Sequence, residues 1–124
     1  MKNDKEKFKI EFKKRLYQFV LALIEFVDRL DKKDNVCRII SDQLIRSGTS
    51  ILSNYVEAQS ASSKKDFINF VHTSLKSANE SKVWLALLRD SQRAKRTRSN
   101  ELLAELAQIA NILASSLLTL KGRK

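Results

Sequence analysis

Few residues in this 124-residue chain have the types and spacing that covalent chemistry needs. His72 is the single histidine, which rules out a pair of imidazoles around a zinc ion, and beside apolar neighbours it reads as a surface or interface residue rather than a general base. Cys37 is also alone, so no intramolecular disulfide can form and a reducing cytoplasm suits the chain. Arg38 next to it could lower the thiol pKa, but one thiol without a placed histidine reads as a small buried hydrophobe. Gly48 and Gly122 stand apart and make no phosphate-cradling loop. Glu57 and Glu80 are the nearest thing to a carboxylate pair. Arg46 gives them a structural role instead, because a guanidinium near either acid makes an ion pair across two helices. The expectation is a non-enzymatic protein with no catalytic residue, metal site or cofactor.

Charge is the other chemistry available. Lys and Arg number 24 against 14 Asp and Glu, giving a formal net charge of +10 and a pI near 10.0. That balance favours a polyanionic partner, nucleic acid or an anionic membrane surface, over acidic small molecules; the alternative is a soluble protein that is merely basic. No apolar run approaches the roughly 20 residues of a membrane span, and the charged N-terminus lacks a signal peptide's apolar core. A cytoplasmic protein without a membrane partner is expected.

The elements that position these groups are helices. Proline is absent, glycine occurs twice, and 43% of residues are hydrophobic. Apolar residues recur at helical spacing in four segments, about 4–30, 36–58, 64–91 and 98–120. The inner face of the first holds Phe12, Leu16, Phe19, Val20, Leu23, Val27 and Leu30. The second presents Ile40, Leu44, Ser47, Gly48, Ile51, Tyr55 and Ala58. Glycine inside a helix costs about 1 kcal/mol relative to alanine, so Gly48 with Ser47 marks a close approach of another helix. The third buries Phe67, Phe70, Val71, Ser74, Ala78, Ser81, Leu85 and Leu88, and the fourth Leu102, Leu106, Ile109, Leu113, Leu117 and Leu120. Asn35 is the expected cap of the second helix, Ser63 with Asp66 a weakened capping box for the third, and Thr97 or Ser99 the cap of the fourth. Gly122 suits the stop. Four helices about 35 Å long, joined by short loops, must alternate in direction, so 1–124 is read as one all-α domain, an up-and-down antiparallel four-helix bundle.

Two surfaces exceed what that core explains. Gln43, Arg46, Ser50, Asn54 and Glu57 follow Val36 and Ile39 along one stripe of the second helix. With Glu80 they are read as a polar network at the core boundary or against another subunit; an ordinary wet face is the alternative. Second apolar stripes, Tyr17, Leu21 and Ile24, then Ile68, Leu75, Val83 and Leu87, then Leu103, Ala107, Ala110, Ala114 and Leu118, suggest burial on two sides and hence self-association, unless they are edges of one broad core.

The pattern Gln43-x-x-Arg46-Ser-Gly-Thr-Ser-Ile51-x-x-Asn54-x-x-Glu57-Ala-Gln59, followed by Ser63-Lys-Lys-Asp-Phe-Ile68 and Leu75-Lys-x-Ala78-x-Glu80-Ser-x-x-Trp84-Leu, resembles the four-helix bundle proteins encoded in intervening sequences of bacterial large-subunit (23S) ribosomal RNA genes. The resemblance covers most of the chain. Tyr55 replaces the usual isoleucine, and Ser77 stands where members often carry an acid, which puts the completeness of a charge network on the third helix in doubt. What the resemblance implies is an up-and-down bundle assembled as a homopentamer, and kinship with accessory proteins of diversity-generating retroelements, which bind nucleic acid and a reverse transcriptase.

In an alternating bundle the termini and the second loop share one end, while the first and third loops share the other. The first end sums to +8, the second to +5, and the remainder of the chain to −3. The poles are basic and the body is not. Lys13, Lys14, Arg15, Lys121, Arg123 and Lys124 at one end, and Arg89, Arg93, Lys95, Arg96 and Arg98 at the other, are therefore the candidate contacts to phosphate, with RNA the favoured ligand. The competing reading is an interaction scaffold for a protein such as a reverse transcriptase or RNA-processing enzyme, in which the charge only assists.

Overall fold

The computed structural model describes residues 3–122 and forms four antiparallel helices: α1 (Asp4–Asp28), α2 (Asn35–Gln59), α3 (Lys64–Asp90) and α4 (Arg96–Leu120). Among the described residues there is no strand. The direction of packing is written in the cross-helix contacts. Ser47 meets Ser81 and Ser50 meets Ser77, so partners run in opposite order along α2 and α3, while Arg15 meets Glu105 across α1 and α4.

The helices form where their apolar stripes can be buried together. Leu23, Leu44, Leu85, Leu88, Leu106 and Ile109 are wholly inaccessible, one layer contributed by all four elements. Phe12 stands edge-on to Tyr55 with ring centroids 5.0 Å apart and stacks with Phe8, closing the core at the terminal end. Cys37 and the partly polar Ser41 are buried at the other end. Leu30, Ile40 and Leu120 are half-buried rather than internal, as are Phe67 and Phe70, which lie in the first turns of α3 where only one side is covered.

The two sides of the bundle are packed differently. α2 and α3 approach most closely, through small residues: Ser47 Oγ and Ser81 Oγ are 2.7 Å apart, and Ser74 Oγ donates to Ile51 O at 2.7 Å. Gly48 lies under α1, where an added Cβ would collide with Leu23 Cδ2. α1 and α4, by contrast, are held mainly by one polar clamp and leave clefts between them.

Several helix ends differ from expectation. α1 stops at Asp28, and Lys32 Nζ donates to the carbonyls of Val27 and Asp28, supplying the cation that the last turn itself lacks. Asp34, not Asn35, caps α2 by accepting from Cys37 N–H; the carboxylate satisfies the same amide and adds a favourable charge at the positive helix end. Ser63 caps α3 as expected. Neither Thr97 nor Ser99 caps α4: the helix begins two residues earlier, behind Lys95, and buried Ser99 donates to Lys95 O instead. α3 ends through Gln92, whose φ of 63° lets the Arg93 and Ala94 amides return to Leu88 O. Gly122, at φ 74°, plays the corresponding part after α4.

The expectation that no segment is long and apolar enough to span a membrane needs correction for α4, which has an 18-residue window of mean hydropathy 1.5. Its length and composition meet the requirement because Leu106 to Leu120 carries no charge, while its leucine stripe is committed to the core.

Candidate nucleic-acid interface

The positive charge is concentrated where the loops meet. At the end formed by the α1–α2 and α3–α4 connections, Arg93 Nε bonds Asp34 Oδ2 at 3.1 Å and so ties one loop to the other. Asp34 is thereby doubly engaged. The amide of Cys37 first, and Arg93 second, hold its carboxyl below the usual range. Arg89 donates to Asp90 at 2.8 Å and to Asn100 at 2.9 Å, which lowers the Asp90 pKa and raises that of Arg89. Arg96 lies 3.8 Å from Asp90, and Arg98 bonds Glu101 at 3.0 Å. Among the described residues Lys95 holds no ion pair. Four of the five arginines and lysines expected here thus share an acid, on pairs exposed enough for a phosphate to compete.

On the terminal half of the bundle Lys121 is exposed at the end, and Lys13 and Lys14 are exposed nearer the middle of α1, beside Arg15. Lys9 sits over the Phe67 ring, its Nζ 5.9 Å from the centroid. Arg123 and Lys124 lie outside the described residues. Arg15 serves another purpose: its guanidinium forks onto Glu105, with both contacts at 2.7 Å, and reaches Gln108 Oε1 at 2.6 Å. The Glu105 bond raises its pKa further. It clamps α1 to α4 midway along the seam, away from either pole.

The expected polar network is only partly assembled. Ser50 Oγ accepts from Asn54 Nδ2 at 2.9 Å and from Ser77 Oγ at 2.8 Å, so Ser77 joins the network through a hydroxyl bond. Gln43 is half-buried and takes no part, although the antiparallel register sets it opposite Trp84, whose Nε1 is buried without an acceptor. Arg46, Glu57 and Glu80 are all exposed, and among the described residues no carboxylate comes within ion-pair distance of Arg46. The expected Arg46 pair across α2 and α3 is therefore corrected. The guanidinium points outward, while the seam beneath is filled by serines too short to leave it a slot.

Apolar surface is also left over. Ile10, Tyr17, Leu21 and Ile24 are 40–55% exposed along one stripe of α1. At 100° per residue this stripe runs roughly opposite Arg15, hence away from α4. Ala107, Asn111 and Leu118 run roughly opposite Glu105 on α4, hence away from α1. The two stripes occupy opposite flanks of the bundle.

One residue of this surface escaped sequence reasoning. Arg29, just beyond the end of α1, joins Arg93, Lys95 and Arg98 around a cleft of about 520 Å³. Its signal was weak: the apolar period runs on to Leu30, which hides the earlier end of the helix.

Residues 9–115 match the 23S rRNA-intervening sequence protein family. No curated protein matches the chain. A similar solved structure is that of a protein of unknown function from the S23 ribosomal protein family of Bacteroides thetaiotaomicron, determined at 1.70 Å, with 32% identity, a TM-score of 0.79, and coverage of 86% of this chain and 97% of that one.

Proposed function

This chain belongs to the 23S rRNA-intervening sequence protein family, and on that premise we propose that it is a non-enzymatic homo-oligomer, a pentamer in the resemblance noted above, that binds nucleic acid, RNA foremost, through its basic ends. One observation carries the proposal: by chain segment the poles sum to +8 and +5 and the remainder to −3, and with Arg15 assigned to the middle and Glu25 and Glu101 to the loop end, where they lie, the ends still sum to +7 and +3 and the middle to 0. Charge distributed for solubility alone has no reason to avoid the middle of the molecule. A polyanion held at the ends contacts phosphates and not base edges, so binding is strongly salt-dependent and only weakly sequence-dependent.

Self-association is supported by the apolar stripes on opposite flanks. An interface that joins two different surfaces is heterologous and closes into a ring when the rotation allows, which would gather the poles of several subunits into two basic annuli. Bulky Tyr17, Leu21 and Ile24 on one flank suit the small, charge-free face of α4 on the other.

The test is fluorescence anisotropy with a labelled single-stranded RNA across a salt series. Log affinity should fall linearly with log salt, with a slope of about −0.7 per phosphate neutralised. Reversing Lys13, Lys14 and Lys121 at one end, or Lys33 and Arg96 at the other, should weaken binding and flatten the slope; Lys76→Glu with Lys82→Glu should matter less. If neither pole's reversal changes affinity or slope, RNA binding by the ends is wrong. The exposed α1 stripe then favours a scaffold for a protein partner such as a reverse transcriptase. Light scattering separates the two uses of the stripe, since the oligomer requires several times the 14.2 kDa chain mass.

A further inference from the structure

The cleft at the loop end differs in character from the rest of the basic surface. Its floor is apolar, formed by Phe26, Leu30 and Ala94, while Arg29, Arg93, Lys95 and Arg98 stand around it. Arg93 and Arg98 are steadied by Asp34 and Glu101. Arg29 and Lys95 are exposed and hold no ion pair among the described residues, so their donors are uncommitted. A volume of about 520 Å³ is within the range of pockets that enclose small ligands, roughly 300–1,000 Å³.

Simple electrostatic gripping of a backbone needs neither concavity nor an apolar floor. A phosphate alone would not use Phe26 and Leu30, and an apolar ligand would not use four cations. A nucleoside 5′-phosphate uses both, with the base or ribose on the floor and the phosphate between the cations. The lone acid of the lining, Glu25, can accept from a ribose hydroxyl. We propose that this cleft binds one nucleoside 5′-phosphate, either free or as the phosphorylated end of an RNA strand. The proposal deepens the RNA-binding reading and rests on it only for the strand-end source.

The experiment uses the full chain and isothermal titration with uridine 5′-monophosphate, uridine, and an RNA trinucleotide with and without a 5′-phosphate, while NMR follows the Ala94 amide. The phosphorylated probes should bind and shift Ala94; uridine and the 5′-hydroxyl trinucleotide should bind at least tenfold more weakly. Arg29→Glu with Lys95→Glu should abolish that difference, and Ala94→Leu, which shallows the floor without removing charge, should also weaken binding. Unchanged thermal melts establish that both variants fold. Equal affinity for the monophosphate and the phosphorylated trinucleotide identifies the free nucleotide as sufficient; tighter binding of the trinucleotide identifies the strand end. If the phosphorylated probes fail while long RNA still binds with a salt-dependent slope, the cleft proposal is overturned and polar binding stands. Failure of both overturns both. Nucleotide binding that ignores the two variants overturns the assignment to this cleft.

Discussion

The α2–α3 seam and the α1–α4 seam bring helices together by opposite means. Across the first, serines let the backbones come close, and their hydroxyls satisfy each other or a carbonyl: Ser47 with Ser81, Ser50 with Ser77, Ser74 with Ile51 O. Across the second, the arms of Arg15 and Glu105 span a wider gap, and clefts open from the clamp toward the loop end. A seam of short side chains has one geometry and no room for a ligand. A seam bridged by long ones has room, and it is there that the concave surface of the molecule lies.

The largest expected effects come from adding bulk where helices lie closest, at α1 against α2 and in the α2–α3 seam. Gly48→Leu should destabilise by about 1–3 kcal/mol or more, because the new side chain meets inaccessible Leu23; an unchanged thermal midpoint would remove Gly48 from the close crossings. Ser81→Leu should cost a similar 1–3 kcal/mol, roughly, since it overfills the α2–α3 seam and leaves the Ser47 hydroxyl only its bond to Leu44 O. Were Ser81→Leu neutral in a denaturant titration, the contrast between the seams would fail at its stronger end.

Tyr55 tests the floor of the open side, where it lines a cleft with Lys5 and Lys9. Burial pushes its pKa from 10.0 up to about 12. The neutral phenol is the favoured form, so this contribution is fully present below the unfolded value of 10.0 and is lost as pH rises toward about 12. Thermal midpoints should fall across that window, and Tyr55→Phe should flatten the fall; an equal fall in the variant would mean that Tyr55 ionises freely.

A smaller effect is expected of the clamp. Arg15 and Glu105 are each about a third exposed, and a double-mutant cycle should give a coupling of about 0.2–1 kcal/mol. A coupling above about 2 kcal/mol would show the open seam to depend on that pair as a buried one does. The smallest effect is Ala22→Leu, which adds to the α1–α4 cleft the bulk that Ser81→Leu adds to the tight seam. Its stability change should lie within roughly 0.5 kcal/mol of zero, and a cost as large as that of Ser81→Leu would erase the distinction.

The bundle was legible in the sequence because helix periodicity reports which side of each element is dry, and most of the residues assigned inward are buried. What failed depended on neighbours rather than on period. Asn35 and Asp34 are both competent caps, and Arg93, which adds to the helix end's preference for the acid, comes from a distant loop. Phe67 and Phe70 have the right spacing but lie where the bundle is open. Arg46 was assigned a carboxylate because Glu57 and Glu80 stand on the two helices it was expected to join; whether its guanidinium reaches either depends on how the two helices are turned against each other, which no spacing encodes. The charged poles were legible as totals, but the cleft was not, since it requires the end of α1 and the α3–α4 loop to be side by side.

Cys37 turns one of these details into a clock. Its thiol is 1% exposed, in the first turn of α2, beside the carboxylate that Arg93 holds. A thiol reagent can reach it only when that turn opens, so the rate of modification counts openings of the loop end without any engineered label. Anything that occupies or loosens the neighbouring loops, from a bound anion to the loss of Arg93, should change the interval between those openings before it changes the melting of the whole bundle.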